Sequence, residues 1–108
     1  MEMAKMKLEM ILGTDDLKRI SYYTDEETGL PVIRIDLHKL NAIQAKRAFH
    51  NILACCREKF ILNVIHGYNN GIALKSITGE LLKKSDRFLE DRSQRNNPGA
   101  TIALIAAA

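Results

Sequence analysis

The chain has 108 residues, 46% hydrophobic and 27% charged, with a formal net charge of +3. A chain this long buries about two-thirds of its unfolded surface, enough for one core without staples, and this composition excludes disorder over most of its length. Its two cysteines, Cys55 and Cys56, are neighbours, which excludes a disulfide scaffold and makes a reducing cytoplasm the default setting. The longest uncharged stretch, Asn96–Ala108, has 13 residues and begins polar, too short for a bilayer span.

The charge is uneven. Residues 1–31 carry four Lys/Arg against seven Asp/Glu, and residues 32–108 carry twelve against six. The body is basic and the leader acidic, so the body attracts polyanions by steering and counterion release. In chain order, Met1–Leu12 holds all four methionines, with Met3, Met6 and Met10 at helical spacing. The favoured expectation is a frayed or loosely docked leader; the alternative is a soft, Met-rich partner surface. Arg19–Thr24 and Pro31–Leu37 flank the polar turn TDEETG, which reads as a hairpin with Gly29 at the end of the turn. In the second strand Ile33, Ile35 and Leu37 share one face, and Arg34, Asp36 and His38 the other.

Asn41 is a good N-cap for an amphipathic helix over Ala42–Arg57, with Lys46, Arg47, His50 and Arg57 outward. Phe60–Ile65 is a short apolar strand, His66–Gly71 a loop, and Ile72–Lys84 a helix with Leu74, Ile77 and Leu81 inward. Phe88–Asp91 and Thr101–Ile105 complete the elements around an RNNPG turn. The order from Val32 is β-α-β-α-β-β, and the crossovers imply parallel pairing of the first strands. The expected fold is a two-layer α/β sandwich. A mixed four-stranded sheet is covered by two helices on one face, with an acidic extension over 1–31 that has room for a helix and a further hairpin strand.

Two segments carry candidate chemistry. Asp36-Leu37-His38 ends a strand, with carboxylate and imidazole on the same face; the carboxylate would orient the imidazole or favour its charged form. The bland alternative is a polar strand end with a solvated histidine. His66-Gly67-Tyr68-Asn69-Asn70-Gly71 joins a strand to a helix, and such a loop either aims backbone N–H groups at a phosphate or is an ordinary connector. Both lie beyond the carboxyl ends of adjacent parallel strands, where α/β folds bind ligands. That placement is expected to bring Asp36, His38 and His66 to a common phosphate. His50 reads as solvated and Cys56 as core. Lys83, Lys84 and Arg87 form either a phosphate patch or a solvated helix end. No metal-ligand spacing is present.

Ile35-Asp36-Leu37-His38, the helix after it, Val64-Ile65-His66-Gly67 with Gly71 opening a helix, and Asn97-Pro98-Gly99-Ala100-Thr101-Ile102 together resemble the small MutS-related (Smr) domain over about residues 32–105. The resemblance implies a fold like the C-terminal domain of translation initiation factor three, nucleic-acid binding, and DNA-nicking or RNA-cleaving endonuclease activity. It implies Asp36, His38 and His66 as catalytic residues. Lys39, Gly67, Tyr68, Asn69, Asn70, Gly71 and Lys75 would then meet the phosphates. Lys39 stands where a glycine commonly follows Asp-Leu-His, Asn69 replaces the middle glycine of the second motif, and Tyr68 replaces a lysine-like position.

The expected partner is DNA or RNA, for a monomer or weak homo-oligomer. No cofactor is required by the pattern beyond a divalent cation such as Mg²⁺ at Asp36, for which one carboxylate is a thin site. Two rivals stand beside the nuclease. One is a non-catalytic module that holds nucleic acid by its phosphates. The other is a protein-interaction module working through the Met-rich leader.

Overall fold

A computed structural model describes residues 1–67 and 71–108. Its elements are α1 (Glu2–Ile11), α2 (Thr14–Leu17), β1 (Ile20–Thr24), β2 (Pro31–Asp36), α3 (Ala42–Cys55), β3 (Phe60–Ile65), α4 (Gly71–Lys84), β4 (Phe88–Asp91) and β5 (Ala100–Ile105). The five strands form one sheet in the order β1-β2-β3-β5-β4. β2 and β3 are parallel, joined through α3, and every other pairing is antiparallel. The hairpin strand is therefore a full member of the sheet, which has five strands where the core pattern alone gave four.

Each element follows from local chemistry. β1 and β2 turn back on each other where Asp25 accepts hydrogen bonds from the Thr28 N–H and hydroxyl and Gly29 takes a φ of +73°. Asn41 and Gln44 form a reciprocal capping box that starts α3. α3 ends at Cys55 rather than Arg57, because Cys56 turns extended and enters the core. Period-two alternation points Ile33, Ile35, Phe60, Leu62, Val64, Ala103 and Ile105 to the helical layer, where all are buried.

The acidic leader departs from the expectation of loose docking. α1 buries Ala4 and Leu8 completely in the same core as Ile33 and Ile52. The Met1 ammonium pairs with Glu58, and Lys5 Nζ lies 5.7 Å from the centre of the Tyr22 ring. The helical layer thus holds three helices, not two. A small residue and one leucine make the docking stripe, while Met3, Met6 and Met10 face outward. α4 is also turned relative to expectation: Leu74, Thr78 and Leu82 are buried, and Ile77 and Leu81 only partly so. Thr78 is tolerated there because its hydroxyl donates to the Leu74 carbonyl.

Arg87 is neither a phosphate contact nor part of a solvated helix end. Its guanidinium donates to the carbonyls of Ala106, Leu53 and Cys56 at 2.7–2.8 Å and lies over the Phe60 ring. It staples three chain segments whose carbonyls no secondary structure satisfies. The far face of the sheet carries no helix among the described residues, yet its centre is apolar, with Val32 and Ile61 buried.

Candidate functional site

The parallel pair β2 and β3 ends at one edge of the sheet, and the antiparallel β1 and β5 begin there. Four segments therefore converge: Arg19 before β1, Asp36–Lys39 after β2, His66-Gly67 after β3 and the Asn97–Gly99 turn before β5. Backbone hydrogen bonds lock them together. Leu37 N–H donates to the Ile65 carbonyl, Asp36 N–H to the Arg19 carbonyl, and both His66 and Gly67 N–H to the Gly99 carbonyl.

Asp36 and His38 form a pair on this edge. His38 Nδ1–H donates to Asp36 Oδ1 at 2.6 Å, and the His38 backbone N–H reaches the same oxygen at 3.0 Å. Partial burial pushes the Asp36 carboxyl up, but the two His38 hydrogen bonds and the Arg19 cation outweigh it and hold the group below its ordinary value. An ionised carboxylate only accepts, so Nδ1 carries the ring proton and Nε2 is left for other work. The His38 side chain is 52% exposed and that of Asp36 30%, so the pair is open to a ligand.

Arg19, which local sequence patterns do not single out, fixes the geometry. Its Nη1 donates to the Asp36 carbonyl at 3.0 Å and to the His38 carbonyl at 2.9 Å, clamping both ends of Asp-Leu-His. The next residue, Lys39, has φ +69°, a left-handed conformation that costs about 1 kcal/mol for a residue with a Cβ. That strain is the physical reason a glycine suits this position.

His66 does not join the pair. It is 1% exposed, because it lies two residues beyond the inward-facing Val64 and points to the same side. Nδ1–H faces the Gly67 carbonyl at 3.4 Å, and the Thr101 hydroxyl donates to Nε2 at 3.0 Å. Burial holds this imidazole below its ordinary value. The expectation of three side chains around one phosphate is thus corrected to two, with His66 a buried brace beneath the loop. The signal was available in the strand's alternation.

Gly67 has φ +80°, and a Cβ there would lie 3.8 Å from His38 Cβ. The glycine turn therefore runs directly beside the pair, with left-handed backbone that side chains resist. Gly71 opens α4, whose N-terminal dipole faces back towards this edge, and Lys75 is exposed on its second turn. Tyr68, Asn69 and Asn70 lie outside the described residues.

Among the described residues no three His, Cys, Asp or Glu side chains gather as metal ligands. Asp36 is the one carboxylate of the pair and already accepts two hydrogen bonds from His38, so this donor set does not fit a resident divalent cation. Cys55 and Cys56 are buried free thiols, their pKa values raised by burial. No helix among the described residues is long and apolar enough to cross a membrane.

A mixed sheet with helices on one face, and an Asp-Leu-His strand end packed on a His-Gly turn, define an Smr-type α/β domain. The Smr domain family matches residues 35–106, and the chain belongs to that family. Among curated proteins it is similar to the ribosome rescue factor SmrB of Buchnera aphidicola subsp. Schizaphis graminum (strain Sg), at 30% identity over 93 residues. That alignment takes in 82% of this chain and 49% of the relative, so the chain spans about half the relative's length. No solved structure gives a significant match.

Proposed function

We propose that this chain binds nucleic acid across the edge where β2 and β3 end, and that the Asp36–His38 pair cleaves the phosphodiester backbone there. The observation that carries this reading is the 2.6 Å bond between a half-exposed imidazole and an ionised carboxylate, beside a glycine turn. Asp36 holds Nδ1–H and leaves Nε2 as the base. Nε2 takes the proton of an attacking hydroxyl or water as its oxygen bonds to phosphorus. The resulting imidazolium, stabilised by Asp36, returns the proton to the oxygen that leaves as its P–O bond breaks. With His66 turned inward, both proton steps fall to His38 in succession.

Developing charge on the phosphate would meet backbone N–H groups between Gly67 and Gly71, together with Lys39 and Lys75. Of the two nucleic acids, RNA is favoured, in keeping with a relative described as a ribosome rescue factor. A second reading, binding without cleavage, has one observation on its side: burial of His66 leaves a single imidazole at the edge.

The test is one gel series. Purified protein and His38→Ala are incubated with a labelled structured RNA and a supercoiled plasmid, with Mg²⁺ and with a chelator. Discrete fragments or nicked circles that vanish in the variant support the nuclease and name its substrate. Shifted but intact bands, equal in both proteins, establish the binding module instead.

A further inference from the structure

A nucleic acid that crosses the Asp36–His38 pair leaves it in two directions. The strand order places β3 and its glycine turn on one side of β2, and β1 on the other. The glycine turn occupies the first side. On the second side the surface is recessed: a hollow of about 500 Å³ is lined by Asp15, Lys18, Ser21, Arg34, Asp36 and His38. One wall comes from the N-terminal segment and the other from β2. Ser21 and Arg34 are register partners in the β1–β2 ladder, and Arg34 shares the helix-free face with Asp36 by alternation along β2. Lys18 and Arg34 are both exposed. Arg19 also lines the hollow, but its guanidinium is committed to the Asp36 and His38 carbonyls, so Lys18 and Arg34 are the cations on offer.

We propose that this hollow is the subsite for the nucleotide next to the scissile phosphate, with Lys18 and Arg34 holding that nucleotide's own phosphate. The proposal rests on the nucleic-acid reading above and extends it to the substrate's form. The recess opens beside the reacting pair and is shared between two chain segments, so it accepts a nucleotide turned out of a stack. An unpaired strand presents such a nucleotide freely, whereas a duplex must first unstack and unpair it at a cost of a few kcal/mol. The substrate class is therefore a single-stranded or looped segment. Asp15, on the rim, bars a second phosphate there by like charge and offers an acceptor to a base amino group.

The experiment uses the full chain carrying His38→Ala, so that binding is read without turnover. Fluorescence anisotropy follows a labelled 12-nucleotide RNA, the same RNA as a blunt duplex, and the DNA single strand, each over a salt series. The expected result is tighter binding of the single strands than of the duplex. Lys18→Gln/Arg34→Gln should weaken the single strands about tenfold and lower the slope of log K against log salt by about 1.4, or about 0.7 for each lost phosphate contact. Lys83→Gln/Lys84→Gln removes the same charge about 20 Å away, at the far end of α4, and should leave the slope unchanged. An equal fall in both double variants assigns the effect to overall charge and overturns the subsite. An unaltered slope in Lys18→Gln/Arg34→Gln, or tighter duplex binding, overturns it as well. If the parent chain binds none of the three probes, the nucleic-acid reading itself fails. The RNA and DNA arms show whether the subsite reads the sugar.

Discussion

His38 and His66 follow adjacent parallel strands and end at the same sheet edge, yet the fold treats them in opposite ways. His38 lies half in solvent and bonds a carboxylate; His66 is sealed in the core and bonds a hydroxyl. The difference comes from one step of strand phase. Asp36 and His38 continue the helix-free side of β2, whereas His66 continues the buried side of β3 behind Val64. Two histidines in two short motifs therefore teach different lessons: one is arranged to exchange protons with a ligand, the other to hold the loop beside it.

The strongest way to break this contrast is a pair of alanine variants. His38→Ala should lower cleavage by at least about 10²-fold, the usual share of a general acid–base group, while an exposed site leaves stability within about 0.5 kcal/mol. His66→Ala should do the reverse in kind, costing about 2–4 kcal/mol for a lost buried bond and the cavity left behind. Urea unfolding of both variants, set beside their cleavage rates, checks the exchange of roles. Equal loss of stability in the two would end the distinction.

Arg19→Ala should come next in size. It removes two charge-assisted bonds from the backbone that carries the pair, a loss of about 1–3 kcal/mol in a half-exposed site. Its cleavage pH profile should change shape, because His38 is no longer held against Asp36. Arg19→Lys, with one donor centre in place of a fork, should recover only part of this.

The two histidine environments also separate by pH. Folded His66 titrates below its ordinary 6.5, so below pH 6.5 the unfolded chain takes up a proton that the folded chain refuses. The stability tied to His66 is present above pH 6.5 and drains away as pH falls. Asp36 titrates below 3.8 in the fold, and its contribution is lost only as pH falls from there through the lower folded value. Thermal unfolding from pH 8 to 5 should show a decline that His66→Gln flattens and Asp36→Asn leaves in place.

The smallest effect is expected at Lys39. Relief of its left-handed strain by Lys39→Gly is worth about 1 kcal/mol, offset by about 0.5–1 kcal/mol of extra freedom in the unfolded chain. The melting temperature should scarcely move. Lys39→Val, which adds a branch at Cβ, should destabilise instead.

Much of the architecture was legible because its signals are local. Asn41 and Gln44 announce the start of α3, Gly29 closes the hairpin, and Ile33, Ile35 and Leu37 declare a buried face. The pair Asp36–His38 was legible for the same reason: two residues apart on a strand means the same side. The docking of α1 was not, since its buried stripe is only Ala4 and Leu8 and the methionines that stand out in the sequence face away. Arg19 was hidden more deeply. It acts 17 and 19 residues along the chain, on carbonyls that any residue could supply, so no side-chain pattern records it. His66 was misplaced by its motif, although the alternation through Leu62 and Val64 already pointed it inward.

β1 has a consequence for anyone who trims the chain. The family match begins at Ile35, inside β2, and β1 covers the outer side of that strand along its whole length. Cutting near the match boundary, or even at Pro31, would strip a row of backbone donors and acceptors bare on an apolar strand. Such an edge recruits strands from other molecules. A minimal fragment should therefore precipitate or exchange strands with its neighbours, and a soluble preparation needs the hairpin left whole.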